Sequence, residues 1–185
     1  MSSDEVTVHV HEGDEAAEQL DAILPVYEEV YAEPPYLEGP RDIAEFLERF
    51  ARQTRRPGFR MAIARDNSRT PVGFTFGYRL PPDAVWWKGA LTPLPDTFTT
   101  ETGHRTFAVI ELAVRAPCRR RGIARRLHNA LLAGQPVERA VLTTRPEPEA
   151  APAQSAYAAW GYRTIGQSQP WPDAPIYNSL VLDLG

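Results

Sequence analysis

Apolar residues recur along this chain in two alternating rhythms. Val6 to Val10 alternates and is β-branched, which predicts a first strand. From Gly13-Asp14 onward, Leu20, Ile23, Leu24, Tyr27, Val30 and Tyr31 fall at spacings of three and four, the rhythm of a helix with one buried face. Pro25 lies inside that pattern and predicts a kink or a split. The run AEPPYLEGP then breaks the helix, because each proline disfavours helical backbone in the residue before it. A second helix is expected from about Asp42 to Arg52, with Ile43, Phe46, Leu47 and Phe50 on one side.

Gly58 to Ala64 reads as a strand, Asp66-Asn67-Ser68 as turn chemistry, and Val72 to Leu80 as the hairpin partner. Residues 81–105 lose the pattern. A structureless stretch of that length is uncommon in a compact domain, so the segment is expected to be functional or locally folded. Thr106 to Val114 (TFAVIELAV) reads as a central strand. Gly122 to Ala133 reads as a helix with Ile123, Leu127, Ala130 and Leu131 inward and Gly134 as its stop. Arg139 to Thr144 is a strand, Pro152 to Trp160 a short helix ended by Gly161, and Tyr162 to Gly166 and Ile176 to Leu184 are the last strands. The pattern predicts one α/β or α+β domain over residues 1–185, with an insertion at about 81–105 between the third and fourth strands.

Composition narrows the classes. The 185 residues are 43% apolar with a net charge of −4, too apolar for a disordered chain and long enough for a core. Cys118 is the only cysteine, so no disulfide framework exists. No apolar run approaches the roughly 20 residues of a membrane span. The opening MSSDEVTVHVHEGDE lacks the basic-then-apolar order of a secretory leader, so a cytoplasmic protein without membrane partners is expected. The charge is uneven. Residues 115–126 (RAPCRRRGIARR) hold six arginines and no acid, +6 against −10 for the other 173 residues. That reads as a local anion site on a protein that attracts cations, and not as a nucleic-acid-binding face. His9, His11 and His128 have no ligand spacing with Cys118, so no metal is expected.

The strongest signal is the succession of apolar strand, arginine loop and amphipathic helix. The first amides of a helix have no internal partners and lie at the positive end of its dipole. Small residues at Gly122 and Ala124 would let an anion approach them, and neighbouring arginines would add charge-assisted contacts. Taken alone, RRRG also reads as an exposed basic turn. Neither G-x-G-x-x-G after a strand nor G-x-x-x-x-G-K-[ST] occurs, which argues against dinucleotide and P-loop sites.

The stretch ELAVRAPCRRRGIARRLHNALL resembles the acetyl-CoA-binding motif of GNAT-type N-acetyltransferases, [QR]-x-x-G-x-[GA], with Arg119, Gly122 and Ala124 at the three defined positions. Ala153 to Tyr162 (AQSAYAAWGY) is similar to the family's A-x-x-x-Y-x-x-x-G-[FY] segment. It departs at Ala150, where members often carry Asn. The order of elements fits from residue 6 to 184 apart from the insertion. The resemblance implies a GNAT fold: a single central mixed, mostly antiparallel sheet flanked by helices and splayed at the acetyl-CoA site. It implies that amides of the run Arg119, Arg120, Arg121, Gly122, Ile123, Ala124 and Arg125 cradle the CoA pyrophosphate. It implies that the stretch Leu112, Ala113, Val114 meets the pantetheine arm, chiefly through the backbone of Leu112 and Val114. The Leu112 amide would polarise the thioester carbonyl, and Tyr157 would protonate the leaving thiolate. Taken alone, Tyr157 reads as a core aromatic. A homodimer is an expectation from the family only.

The base and the acceptor stay open at this level. Glu111 is an acid in an apolar strand, where burial would raise its pKa into a useful range. Alternation sends Ile110 and Glu111 to opposite faces, and several relatives carry the acid one position earlier. A bulge could re-aim it; it reads equally as a structural ion-pair residue. A water chain, Asp83, Glu101 or His104 are the other candidates. The segments expected to line the acceptor side hold Glu28, Glu29, Glu33, Tyr36, Glu38, Asp83, Trp86, Trp87, Asp96 and Glu101. Aromatic faces with carboxylates suit a cationic amine. Glu33, Tyr36, Trp86 and Trp87 are the acceptor candidates among them, although tryptophans also anchor insertions and acids also form solvated faces. The expected activity is acetylation of a small cationic amine, aminoglycoside-like, in resistance or detoxification. The alternatives are acetylation of a protein or peptide N-terminus or lysine, and a non-catalytic acyl-CoA-binding module.

Overall fold

A computed structural model describes residues 5–185; Met1–Asp4, part of the opening read as lacking a leader, lie outside the described residues. Seven strands form one mixed sheet: β1 Thr7–Glu12, β2 Arg60–Arg65, β3 Pro71–Arg79, β4 Thr106–Val114, β5 Arg139–Thr144, β6 Arg163–Ser168 and β7 Tyr177–Asp183. Their order is β1-β2-β3-β4-β5-β7-β6. The helices are α1 Gly13–Ala17, α2 Leu20–Tyr31, α3 Pro40–Gln53, α4 Asp96–Thr99, α5 Ile123–Leu132 and α6 Ala151–Ala159. The chain divides into two compact units. The first runs up to Tyr78 and includes Val109–Gly134; the second comprises Arg79–Ala108 and Gln135–Gly185.

In the first unit, β2 is buried on both faces, and alternation sorts its side chains. Met61 and Ile63 join Phe46, Phe50, Phe74, Phe76 and Tyr27 beneath α2 and α3. Ala62 and Ala64 join Val72, Val114, Ile123 and Leu127 on the other face. Small residues there let α5 approach the sheet. Gly73 serves the same end: a methyl group at that position would stand 2.9 Å from Ala113 O and 3.2 Å from Leu127. The β2–β3 hairpin is antiparallel, and Asp66 Oδ1 closes its turn by accepting from the Ser68 and Thr70 amides, both at 2.9 Å.

The split expected at Pro25 lies elsewhere. The first long helix breaks at Glu18–Gln19, between α1 and α2, and not at Pro25, which lies inside α2. Pro25 and Asp21 are both exposed or half-exposed. The carbonyl that loses its donor therefore reaches water, while Ile23, Val26, Tyr27 and Val30 hold the opposite face in the core.

In the second unit, β4 and β5 run parallel over three pairs, Thr106 with Arg139 to Ala108 with Val141; both strands continue beyond, β4 to Val114 and β5 to Thr144. β7 pairs antiparallel with β5 and β6. The insertion is locally folded. It holds a single turn at Trp86–Gly89, the short α4, and a bridge from Ala90 to Ser168. Its anchor is Glu101, whose Oε1 accepts from Trp87 Nε1 (2.9 Å), Thr106 Oγ1 (2.8 Å) and Arg139 Nη2 (3.0 Å). The Arg139 guanidinium also lies 4.3 Å over the Phe98 ring and 5.1 Å over Trp87.

The side chains of Arg139 and Glu101 are 5% and 2% exposed. Removing one partner of such a pair leaves a buried charge uncompensated. Glu101→Ala is therefore expected to lower the unfolding free energy by about 3–5 kcal/mol, measured by urea denaturation.

Candidate active site

The first unit carries the predicted anion site. β4 ends at Val114, a short turn follows at Ala116–Cys118, and α5 begins at Ile123 with Gly122 as its N-cap. Gly122 has φ +74°, and among the described residues nothing lies within 4 Å of the place a Cβ would take. Glycine is required there by backbone conformation, and the space over it is open. Arg120 is also left-handed, at φ +61°. The first helical bond runs from Arg126 N–H to Gly122 O at 3.1 Å, so the amides of Ile123, Ala124 and Arg125 precede the ladder. No acid lies in the first turn, and Arg120, Arg121 and Arg125 are exposed. Backbone N–H groups at a positive helix end beside exposed arginines fit a pyrophosphate.

Several arginines of the run have protein partners, Arg126 among them, whose Nη2 donates to Val6 O at 2.7 Å. Arg115 pairs with Glu29, and its Nε donates to Pro71 O at 3.1 Å. Arg119 grips Glu33 through Nη1 (2.7 Å) and Nη2 (3.1 Å) and donates from Nε to Val114 O at 2.8 Å. Glu33, an acceptor candidate in the sequence, is thus paired with Arg119, a cofactor candidate.

Backbone direction along β4 is fixed by β3. Thr75 Oγ1 donates to Glu111 O at 2.7 Å, and the Arg115 amide donates to Val72 O at 2.9 Å. Main-chain groups of alternate residues point to opposite edges, so those of Leu112 and Val114 face away from β3.

Side chains of β4 alternate as well. Leu112 and Val114 pack toward α5, and Ala113 packs beneath α2 and α3. Glu111 also points toward α2 and α3. Tyr31 Oη donates to its Oε2 at 2.5 Å, and Arg49 Nη2 lies 3.8 Å from its Oε1. Burial pushes the Glu111 carboxyl up to about 7, against the opposing effects of the Tyr31 hydrogen bond and the Arg49 charge. The Tyr31 ring lies 4.4 Å from Tyr27 and 4.9 Å, edge-on, from Tyr36; Tyr27 stacks on Phe46 at 3.8 Å and donates to Glu38 at 2.7 Å. Tyr36 is therefore part of an aromatic and carboxylate cluster with Glu111. The sequence did not single out Tyr31 or Arg49 for this role. The available signal was that a buried carboxylate needs donors, and Tyr31 lies on the buried face of its helix.

The second unit carries the other candidates. Tyr157 lies half-buried on α6, its ring 5.4 Å from Trp160 and 5.6 Å from Tyr162, both edge-on. The helix is closed by Gly161 at φ +100°, and the Tyr162 amide donates to Tyr157 O at 3.0 Å. Trp87 and Glu101 are bound into the Arg139 cluster, so Trp87 anchors the insertion. Trp86 is half-buried, and Asp83 and His104 are exposed. Among the described residues no group of three His, Cys, Asp or Glu is placed to hold a metal ion, and no helix is long and apolar enough to cross a membrane.

The family model for the acetyltransferase (GNAT) family matches residues 22–162, and the chain belongs to that family. No curated protein matches it in sequence. Its fold is similar to an acetyltransferase of the GNAT family from Staphylococcus aureus Mu50, with 15% identity, 98% of this chain and 100% of that chain covered and a TM-score of 0.60. It is also similar to an acetyltransferase from Thermus thermophilus, with 15% identity, 97% of each chain and a TM-score of 0.62. A third similar structure is the NatC complex bound to Gag peptide and CoA, with 16% identity, 98% and 99% coverage and a TM-score of 0.62. At these identities the likeness shows the fold. It is the fold the resemblance implied: a mixed sheet flanked by helices.

An acid whose folded pKa is raised costs stability once ionised. For Glu111 the cost is absent below about pH 4, grows as pH rises and is complete above the folded value of about 7. Its full size is on the order of 3 kcal/mol. Urea unfolding at pH 5 and pH 8 is expected to show the advantage of Glu111→Gln over the native chain growing by that order.

Proposed function

We propose that the protein is an acetyl-CoA-dependent N-acetyltransferase acting on the primary amine of a small cationic molecule, of the aminoglycoside type. The observation that carries the reading is the mouth of α5, where Gly122 leaves the first-turn amides open between exposed arginines. Family membership and the CoA in the similar NatC structure support the choice of acetyl-CoA. When bound, it supplies an activated acetyl thioester.

This chain's residues then have distinct tasks. The amides from about Arg120 to Arg125 hold the pyrophosphate. Leu112 N–H, on the β4 edge away from β3, polarises the carbonyl as negative charge develops on its oxygen. Val114 offers backbone groups on the same edge. Its oxygen already accepts from Arg119, so a pantetheine amide shares that oxygen or displaces the guanidinium. Glu111, with its carboxyl raised to about 7, takes the proton of the attacking ammonium. Tyr157 returns a proton to the departing sulfur; a phenol of pKa about 10 is a suitable acid toward a thiolate of about 8.5. The Tyr27–Tyr31–Tyr36 faces and Glu38 suit a cationic acceptor.

The test is thiol release from acetyl-CoA with a panel of kanamycin, tobramycin, spermidine, lysine peptides and free peptide N-termini. Turnover confined to the peptides replaces the small-molecule reading with protein acetylation. Binding of acetyl-CoA without turnover of any amine leaves only an acyl-CoA-binding module. Tyr157→Phe is expected to lower kcat by about 100-fold or more with little change in acetyl-CoA affinity. Gly122→Asp is expected to abolish measurable acetyl-CoA binding in calorimetry, because it adds bulk and negative charge over the helix mouth.

A further inference from the structure

Only a few groups determine the state of the Glu111 carboxylate. From α2, Tyr31 donates to Oε2 at 2.5 Å. From α3, Arg49 Nη2 stands 3.8 Å from Oε1. Glu38, in the connection between those helices, adds a like charge that opposes ionisation, and Tyr27 commits its hydroxyl to Glu38. Tyr31 is itself fixed by aromatic contacts. Its ring is wedged between Tyr27 at 4.4 Å and Tyr36 at 4.9 Å, and Tyr27 is backed by Phe46 at 3.8 Å. The hydroxyl thus reaches Glu111 from a packed wall with little rotamer freedom.

We propose that Tyr31 is a positioning residue for acetyl transfer: it occupies Oε2 of Glu111, so that Oε1 is the oxygen that receives the amine proton. This inference rests on the reading of Glu111 as the base. In the step, an ammonium N–H bond breaks as an O–H bond forms at Oε1; the nitrogen pair released attacks the acetyl carbon, its bond to sulfur breaks, and the departing thiolate takes the Tyr157 proton while the new amide nitrogen gives up its excess proton. Arg49 lies on the Oε1 side, within Coulombic reach and beyond a hydrogen bond. It moderates the charge of that oxygen and leaves it able to accept. The Tyr31 hydrogen bond also favours the ionised carboxylate, opposing its desolvation. A phenylalanine would fill the same space and provide neither effect.

Two measurements test this, one of them independent of turnover. Protein labelled with 13C at the glutamate carboxyl carbon is titrated by NMR, the Glu111 signal being the one lost in Glu111→Gln. kcat/KM is measured against pH at saturating acetyl-CoA with whichever amine of the panel above is turned over fastest. Tyr31→Phe is expected to raise the NMR midpoint by about one pH unit, since one hydrogen bond to the charged form is lost. The acid limb of kcat/KM should move by the same amount, with KM for acetyl-CoA unchanged. Arg49→Met should move both in the same direction, which keeps the test alive if the tyrosine variant folds poorly. If neither variant moves the midpoint or the limb while Glu111→Gln removes the limb, Tyr31 is a packing residue and Glu111 remains the base. If the midpoint moves but the limb does not, Glu111 is not the base and both readings fall. Absence of turnover with every amine has the same consequence.

Discussion

Strand β4 can offer main-chain partners to β3 with only every second residue, and the candidate site is built on the other half. Because Glu111 O and Arg115 N–H face β3, Leu112 and Val114 point their amides and carbonyls the opposite way. The Glu111 carboxylate faces α2 and α3, and the Leu112 and Val114 side chains face α5. One strand thus presents a buried carboxylate on one face, a packing surface for α5 on the other, and main-chain groups along its edge, of which Val114 O already accepts from Arg119. A slip of one residue would exchange all three.

The arginine loop is less uniformly basic than its sequence. Arg115 and Arg119 are drawn back by Glu29, near the end of α2, and Glu33, two residues beyond it. Arg120 and Arg125 are exposed beside the helix mouth. The pairing has a second effect. Through Glu29 it ties the connection after β4 to α2, the helix that also carries Tyr31. These two acids therefore act on the loop.

The insertion follows a similar logic in the second unit. Arg139 is a buried cation on a central strand, and the chain satisfies it with Glu101, Thr106, the Phe98 carbonyl and two aromatic faces. An anchor of that kind fixes where the irregular segment begins and ends. It also explains why Trp87, conspicuous in the sequence, is committed to structure: its indole N–H donates to Glu101.

What the sequence determined by itself was periodic or stereochemical. The strand limits Thr106–Val114 and Arg139–Thr144 and the α5 stop at Gly134 follow from local rules of alternation, helix spacing and backbone freedom. So did the family, since its motif is a short backbone cradle whose residues are neighbours in the chain. Which way Glu111 points, what donates to it, and which arginines are neutralised were decided only by tertiary structure. Tyr31 and Glu111 are 80 residues apart, and Arg119 and Glu33 are 86. No periodicity records pairings at that distance. They depend on which helix face packs over which strand.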